Sequence, residues 1–133
     1  MTDQTMTIRE MCDAFGVTPR TLRFYEAKEL LFPIRDVQKR LFTKSDRARL
    51  KLILRGKRFG FSLEEIRQVL NLYQKGDQQL SQIERTYEIA RRRLAEMEHQ
   101  HQELSTAIDD LKDQMRWGEK MIASVSQTRD AAE

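Results

Sequence analysis

The spacing of apolar positions divides the chain into two parts. Up to Gly76 the apolar residues come in short groups broken by turn signals; from Leu80 onward they repeat every three and four residues without a slip. In the first part, Thr7 with Glu10 three residues on forms a capping box. It predicts a helix with Ile8, Met11, Cys12 and Phe15 on one face. Gly16 ends that helix and Val17 fills the turn. Thr18-Pro19, an oxygen cap followed by proline at the first helical position, opens a second helix. This one runs through Leu22, Tyr25 and Glu26 to about Lys28. Two short helices joined by a glycine-containing turn make a helix-turn-helix. Residues 1–6 are expected to form a frayed leader.

Pro33 excludes a long helix over residues 30–42. Ile34 and Leu41-Phe42, either side of a polar stretch at 35–40, predict a small hairpin, or wing. Thr43-Lys44-Ser45-Asp46 caps a third helix that turns Leu50, Ile53 and Leu54 inward and ends near Gly56 or Gly60. Ser62 with Glu65 forms another capping box. It opens a fourth helix carrying Ile66, Val69, Leu70 and Tyr73, closed by Gly76-Asp77.

The second part behaves differently. Leu80, Ile83, Tyr87, Ala90, Leu94, Met97, His101, Leu104, Ile108, Leu111 and Met115 occupy successive a and d positions over five heptads, with no proline or glycine among them. Heptads sustained this long predict a coiled coil. A single helix roughly 55 Å long cannot bury such a stripe by itself. Dimerisation through residues 83–115 of the stripe is expected, with folding back onto the amino-terminal part as the alternative. Trp117-Gly118 is expected to end the helix. At most one further turn, around Met121-Ile122, then precedes a polar tail. The expected organisation is mainly α: a winged helix-turn-helix domain at 6–76, a coiled-coil dimerisation helix at 77–117 and a short tail at 118–133.

Composition narrows the function. The 133 residues fit one ordinary domain, and 39% hydrophobic residues with only five glycines and two prolines exclude a disordered or low-complexity chain. No apolar run approaches the ~20 residues of a membrane span. No basic start leads into an apolar stretch, so a cytoplasmic protein without a membrane partner is expected. The single Cys12 excludes an internal disulfide and a paired-cysteine zinc site. Its place on the inward face of the first helix marks it as a small core residue. The net charge of +3 conceals an asymmetry: residues 1–76 carry +7 and residues 77–133 carry −4, with ten basic and two acidic side chains between 35 and 58. A basic half joined to an acidic half points to a polyanion-binding module, a solvated helix face being the alternative.

Catalytic chemistry has no foothold. His99 and His101, two apart on a helix, point about 200° from each other and cannot share a metal ion. No glycine-rich phosphate loop is present. The chain is expected to be no enzyme and to need neither metal nor cofactor. Positive signals gather on the second helix, where Thr18, Arg20, Thr21, Arg23 and Tyr25 combine guanidinium forks, hydroxyls and an aromatic ring. Arginine forks read guanine edges, and hydroxyls hold phosphates. Pairing of these arginines with Glu26 or Glu29 is the competing explanation for any one of them.

Two blocks carry a resemblance: Thr7-Ile8-Arg9-Glu10 leading to Gly16-Val17-Thr18-Pro19-Arg20-Thr21-Leu22-Arg23-Phe24-Tyr25-Glu26, and Arg58-Phe59-Gly60-Phe61-Ser62-Leu63-Glu64-Glu65-Ile66. Both are similar to the amino-terminal signature of the MerR family of transcription regulators, in continuous register over residues 6–73. The resemblance implies a winged helix-turn-helix domain followed by a long antiparallel coiled-coil dimerisation helix. It also implies that the second helix enters the major groove of double-stranded DNA while the wing contacts the backbone. Arg20, Thr21 and Arg23 then match recognition-helix contacts, Tyr25 the second aromatic of an Arg-Tyr-Tyr-Glu run, and Arg40 and Phe42 the wing pattern. With Thr18 and the basic wing residues Arg35 and Lys39, these make up the expected DNA-binding set.

The chain departs from the family pattern at several points. Phe24 replaces the first tyrosine, Glu29-Leu30 replaces Gly-Leu, and Leu41 and a missing wing glycine alter the wing. Residues 77–133 lack the cysteines of metal-sensing members, and only about fifteen residues follow the helix where drug-binding members carry a large domain. Trp117, Met121 and Ile122 either line a small apolar pocket against the partner or simply cover the coil end. The implied function is a homodimeric regulator that bends and untwists a promoter spacer so that RNA polymerase engages both promoter elements. The alternative is an architectural DNA-bending accessory protein without an effector. A coiled-coil adaptor for protein partners is disfavoured by the basic stretch at 35–58.

Overall fold

The computed structural model describes residues 4–74 and 80–132. Its elements run α1 (Ile8–Phe15), α2 (Pro19–Ala27), β1 (Ile34–Asp36), β2 (Lys39–Leu41), α3 (Lys44–Phe59), α4 (Leu63–Gln74) and α5 (Leu80–Ala132). One compact unit extends to Ala90 and a second begins at Arg91.

Each helix of the first unit starts where its local chemistry dictates. Thr7 accepts from the Glu10 amide while the Glu10 carboxylate accepts from the Thr7 amide, both orphan donors of the first turn being satisfied reciprocally. That bonding holds the Glu10 carboxyl below its ordinary range. Thr43 with Asp46 and Ser62 with Glu65 repeat the device for α3 and α4. Pro19 occupies the first turn of α2 behind the Thr18 cap. Gly16 closes α1 at φ 65°, a left-handed backbone that glycine adopts without a Cβ clash. The expected close of α4 at Gly76-Asp77 lies outside the described residues.

The core of this unit joins Met11, Leu22, Tyr25, Leu30, Leu31, Phe42, Leu50, Ile53, Ile66 and Leu70, with Ile8, Cys12 and Phe15 packed half-buried against it. α1 packs on α2 and α3 on α4. At the α3–α4 crossing Gly56 is buried, and a Cβ there would meet Ile66 Cγ1 at 2.8 Å. The wing is an antiparallel hairpin pairing Ile34 with Leu41, Arg35 with Arg40 and Asp36 with Lys39. The leader is not frayed at its described end. Met6 exchanges two backbone hydrogen bonds with Phe42, at 2.9 and 2.8 Å, and the Gln4 carbonyl accepts from Arg47. Pairing of these backbone groups outweighs the absence of any local helix or turn signal there.

α5 opens within the first unit, where Gln82, Thr86 and Ile89 are half-buried while Leu80, Ile83 and Tyr87 of the heptad stripe face outward. Gln68, Asn71 and Leu72 of α4 share a polar cleft with Gln82, Arg85 and Thr86. The second unit is helical from Arg91 to Ala132, with Leu94, Leu104, Ile108, Leu111 and Met115 exposed along one stripe. The helix does not end at Trp117-Gly118, as the sequence led us to expect. Nothing lies within 4 Å of a Cβ built on Gly118, so the glycine only weakens an exposed turn, by about 1 kcal/mol relative to alanine, without breaking it. The residues after it form helix readily, and Ile122 and Val125 carry the heptad spacing onward. No helix among the described residues is long and apolar enough to cross a membrane.

Candidate nucleic-acid interface

α2 buries Leu22 and Tyr25 and turns Arg20 and Arg23 to solvent, as the helical period requires. Neither arginine has an ion pair or hydrogen bond among the described residues. Arg23 lines a cleft together with Thr7 and Ile8 at the start of α1 and Gln38, Lys39 and Arg40 of the wing. α2 and the wing thus bring three cations to one surface depression, with the start of α1 as its third wall.

The wing is fastened to α2 by a single carboxylate. Arg35 and Arg40 stand directly opposite each other in the hairpin, a repulsive cross-strand pair. Glu26 takes both: Arg40 Nε lies 2.7 Å from its Oε1, and Arg35 Nε 3.1 Å from its Oε2. Pairing with Glu26, the competing explanation for the arginines of α2, holds for these two wing arginines instead. Lys39 stays exposed.

Four of the expected contact residues have a different role. Tyr25 and Phe42 are corrected outright: they are 2% and 0% exposed, and both rings belong to the core. Desolvation pushes the Tyr25 phenol above its ordinary value. Leu22 and Tyr25, three apart, share the inward face of α2, and that geometry leaves the Tyr25 ring no outward path. Thr18 and Thr21 bond each other, Oγ1 to Oγ1 at 2.9 Å, and Thr18 Oγ1 also accepts from the Thr21 amide. Their hydroxyls serve first as the cap that aims α2.

Sequence reasoning missed the residues that hold α2 from behind. Arg67 Nη2 donates to the Lys28 carbonyl at 2.6 Å, and Arg49 Nε to the Leu30 carbonyl at 2.7 Å. Both cations sit at the carbonyl-rich end of α2, where charge and dipole agree. Buried Asp46 accepts from the Phe32 amide at 2.9 Å as well as capping its own helix. Burial holds the Arg49 guanidinium below its ordinary pKa; neighbouring Asp46 acts in the opposite sense, and Arg67 adds to the lowering. Arg47 and Arg49, two of the ten basic side chains between 35 and 58, bond backbone carbonyls and do not belong to a polyanion surface. Helical spacing could have signalled this for Arg49, which stands three residues after Asp46 and four before Ile53 on the inward face of α3.

Two positions in and beside this surface adopt backbone angles that glycine normally takes. Glu29 has φ 57° where α2 ends, and Leu30 N–H reaches back to the Tyr25 carbonyl at 2.9 Å. Val37 has φ 58° in the two-residue turn between the wing strands. The first is where Glu29-Leu30 stands in place of the Gly-Leu of the resemblance, and the second lies in the wing, which has no glycine. A branched side chain in this region costs on the order of 1–3 kcal/mol. Among the described residues no group of three or more His, Cys, Asp or Glu side chains could hold a metal ion.

The comparisons with known proteins agree with this geometry. Residues 6–72 match the family model of the MerR helix-turn-helix regulatory proteins, and residues 47–114 match the MerR DNA-binding model. An uncharacterised HTH-type transcriptional regulator of Pseudomonas aeruginosa is 32% identical over 110 residues, covering 81% of each chain. The HTH-type transcriptional regulator ZntR of Escherichia coli is 35% identical over 101 residues, 74% of this chain and 70% of that one. Among solved structures, HiNmlR, a MerR family regulator lacking the sensor domain and bound to promoter DNA, superposes with a TM-score of 0.62 at 29% identity, covering 79% of both chains. PbrR691 of Ralstonia metallidurans in complex with lead(II) superposes with a TM-score of 0.59 at 27% identity, over 84% of this chain and 86% of that one. With its helix-turn-helix, its wing and its long carboxy-terminal helix, the chain belongs to the MerR family of DNA-binding transcription regulators, which are not enzymes.

Proposed function

We propose that the protein acts as a homodimer at a promoter, pairing through the exposed stripe of α5 and bending and untwisting the spacer between promoter elements so that RNA polymerase engages both. The observation that carries the DNA-binding part is the cleft in which Arg23 of α2 meets Lys39 and Arg40 of the wing. α2 enters the major groove, where Arg20 and Arg23 read base edges, while Lys39 and the outer face of the wing grip phosphate. Deforming the duplex costs a few kcal/mol, roughly what phosphate contacts on both sides of the centre offset.

The stripe supports the dimer. Leu94, Leu104 and Leu111 stay more than half exposed in the single chain, an arrangement that a second α5 relieves. An antiparallel pair places Leu94 beside Leu104 of the partner subunit and Ala90 beside Ile108 of the partner subunit, large against small.

Footprinting on the gene's own promoter, combined with affinity measurements on promoter and scrambled duplexes, tests the proposal. Arg23→Ala costs roughly 1–3 kcal/mol on the promoter and little on scrambled DNA. Lys39→Ala weakens both and flattens the salt dependence. Equal losses on both duplexes for Arg23→Ala would remove that residue from base reading. Single cysteines at Leu94 and Leu104 in a Cys12→Ser background crosslink to each other in an antiparallel dimer; efficient crosslinking of Leu94→Cys to its own copy means parallel helices.

A further inference from the structure

We propose that Val37, at the tip of the wing, is itself a DNA contact, its isopropyl group lying against the apolar C–H face of a backbone deoxyribose beside the phosphate that Lys39 neutralises. The inference rests on the DNA-binding reading above.

Folding gives no reason for valine here. The side chain is 94% exposed, so it packs against nothing. The turn has only two residues, Val37 and Gln38, and Val37 alone of them has positive φ. That sign pattern, positive then negative, belongs to a turn whose first central position glycine fills. A β-branched residue is therefore the wrong choice for the backbone and a useless one for the core. Strain of this kind points to a role at the surface.

The surroundings select the partner. Lys39 and Arg40 follow on β2, and both line the cleft that also holds Arg23. An apolar protein partner would meet Lys39 and the cleft cations beside its contact, whereas a polyanion is drawn to them. Asp36 stands directly across from Lys39 and offsets one positive charge at the tip, so charge by itself holds the tip poorly. Next to phosphates, the apolar surface within reach of a narrow hairpin tip is the sugar. A sugar contact is blind to sequence and releases no counterion.

Three variants of the full chain test this: Val37→Gly, Val37→Asn and Val37→Ile. Melting temperature is read alongside affinity for promoter and scrambled duplexes between about 50 and 300 mM salt. Glycine and asparagine both tolerate positive φ. Each is expected to raise the melting temperature by about 3–6 °C and yet to weaken binding about five- to tenfold on both duplexes. The slope of affinity against salt stays at the wild-type value, unlike that of Lys39→Ala. Val37→Ile keeps wild-type affinity. Wild-type or tighter binding by Val37→Asn overturns the inference, as does a changed salt slope. Loss with glycine but not with asparagine assigns the effect to wing flexibility and also overturns it. An unchanged or lowered melting temperature removes the strain on which it stands. Failure of the wild-type chain to bind duplex DNA would refute the functional reading instead, so the two failures are distinguishable.

Discussion

Glu26 joins the helix proposed to read bases to the wing proposed to hold the backbone, and replacing it with glutamine separates the two. Its two ion pairs are not equivalent. The Arg40 pair is short, 2.7 Å, and largely covered, with side-chain exposures of 23% and 19%. The Arg35 pair is longer, 3.1 Å, and Arg35 is 54% exposed, so solvent screens it. A covered, charge-assisted bond contributes about 1.5 kcal/mol, a screened one at most about 0.5 kcal/mol. Glu26→Gln also leaves Arg35 and Arg40 facing each other uncompensated, at a further cost of about 0.5 kcal/mol. The whole loss is then about 2.5 kcal/mol, or about 10–15 °C in the melting of the first unit. Double-mutant cycles by urea unfolding separate the pairs. Coupling of Glu26 to Arg40, read with Arg40→Met so that the aliphatic stem stays, should be about 1.5 kcal/mol, and coupling to Arg35 about a third of that. On DNA, Glu26→Gln adds one positive charge, so scrambled duplex binds more tightly while discrimination in favour of the promoter shrinks. Equal couplings, or the reverse order, would refute the burial argument; undiminished discrimination would show that the wing does not need this anchor.

Three further outcomes follow from single positions. Glu29→Gly removes a positive-φ side chain at the end of α2 and should stabilise the fold by about 0.5–1 kcal/mol in urea unfolding; destabilisation would mean that the glutamate side chain makes a compensating interaction. Gly118→Ala should raise helix content and stabilise by about 0.5–1 kcal/mol, because the position is helix interior with open space at its Cβ; a loss would be the mark of a glycine that ends the helix. The buried Tyr25 phenol titrates above the ordinary value of 10.0. Its contribution is fully present below the unfolded value and is lost as pH rises through the folded one, since only the unfolded chain ionises in between. Urea midpoints of the wild type should therefore fall more steeply above pH 10 than those of Tyr25→Phe, and parallel curves would contradict the burial of the hydroxyl.

Signals that act within three or four residues were legible in the chain itself. The Thr7–Glu10, Thr18-Pro19, Thr43–Asp46 and Ser62–Glu65 starts all stand in the structure, because a cap needs only its own first turn to be satisfied. The change of apolar period at Leu80 was equally plain, since it is a property of spacing alone. Gly118 was misread because glycine ends a helix only where the backbone turns left-handed and the following residues stop pairing, and neither is written in the glycine. What the tertiary structure decided is which polar groups meet across the fold. Arg40 finds Glu26 fourteen residues away, Arg49 finds the Leu30 carbonyl nineteen away, and Arg67 finds the Lys28 carbonyl thirty-nine away. A count of basic residues therefore treats Arg49 and Arg23 alike. Packing separates them, because a guanidinium drawn into the core must find carbonyl oxygens there, whereas one left on the outer face of α2 keeps its donors in solvent.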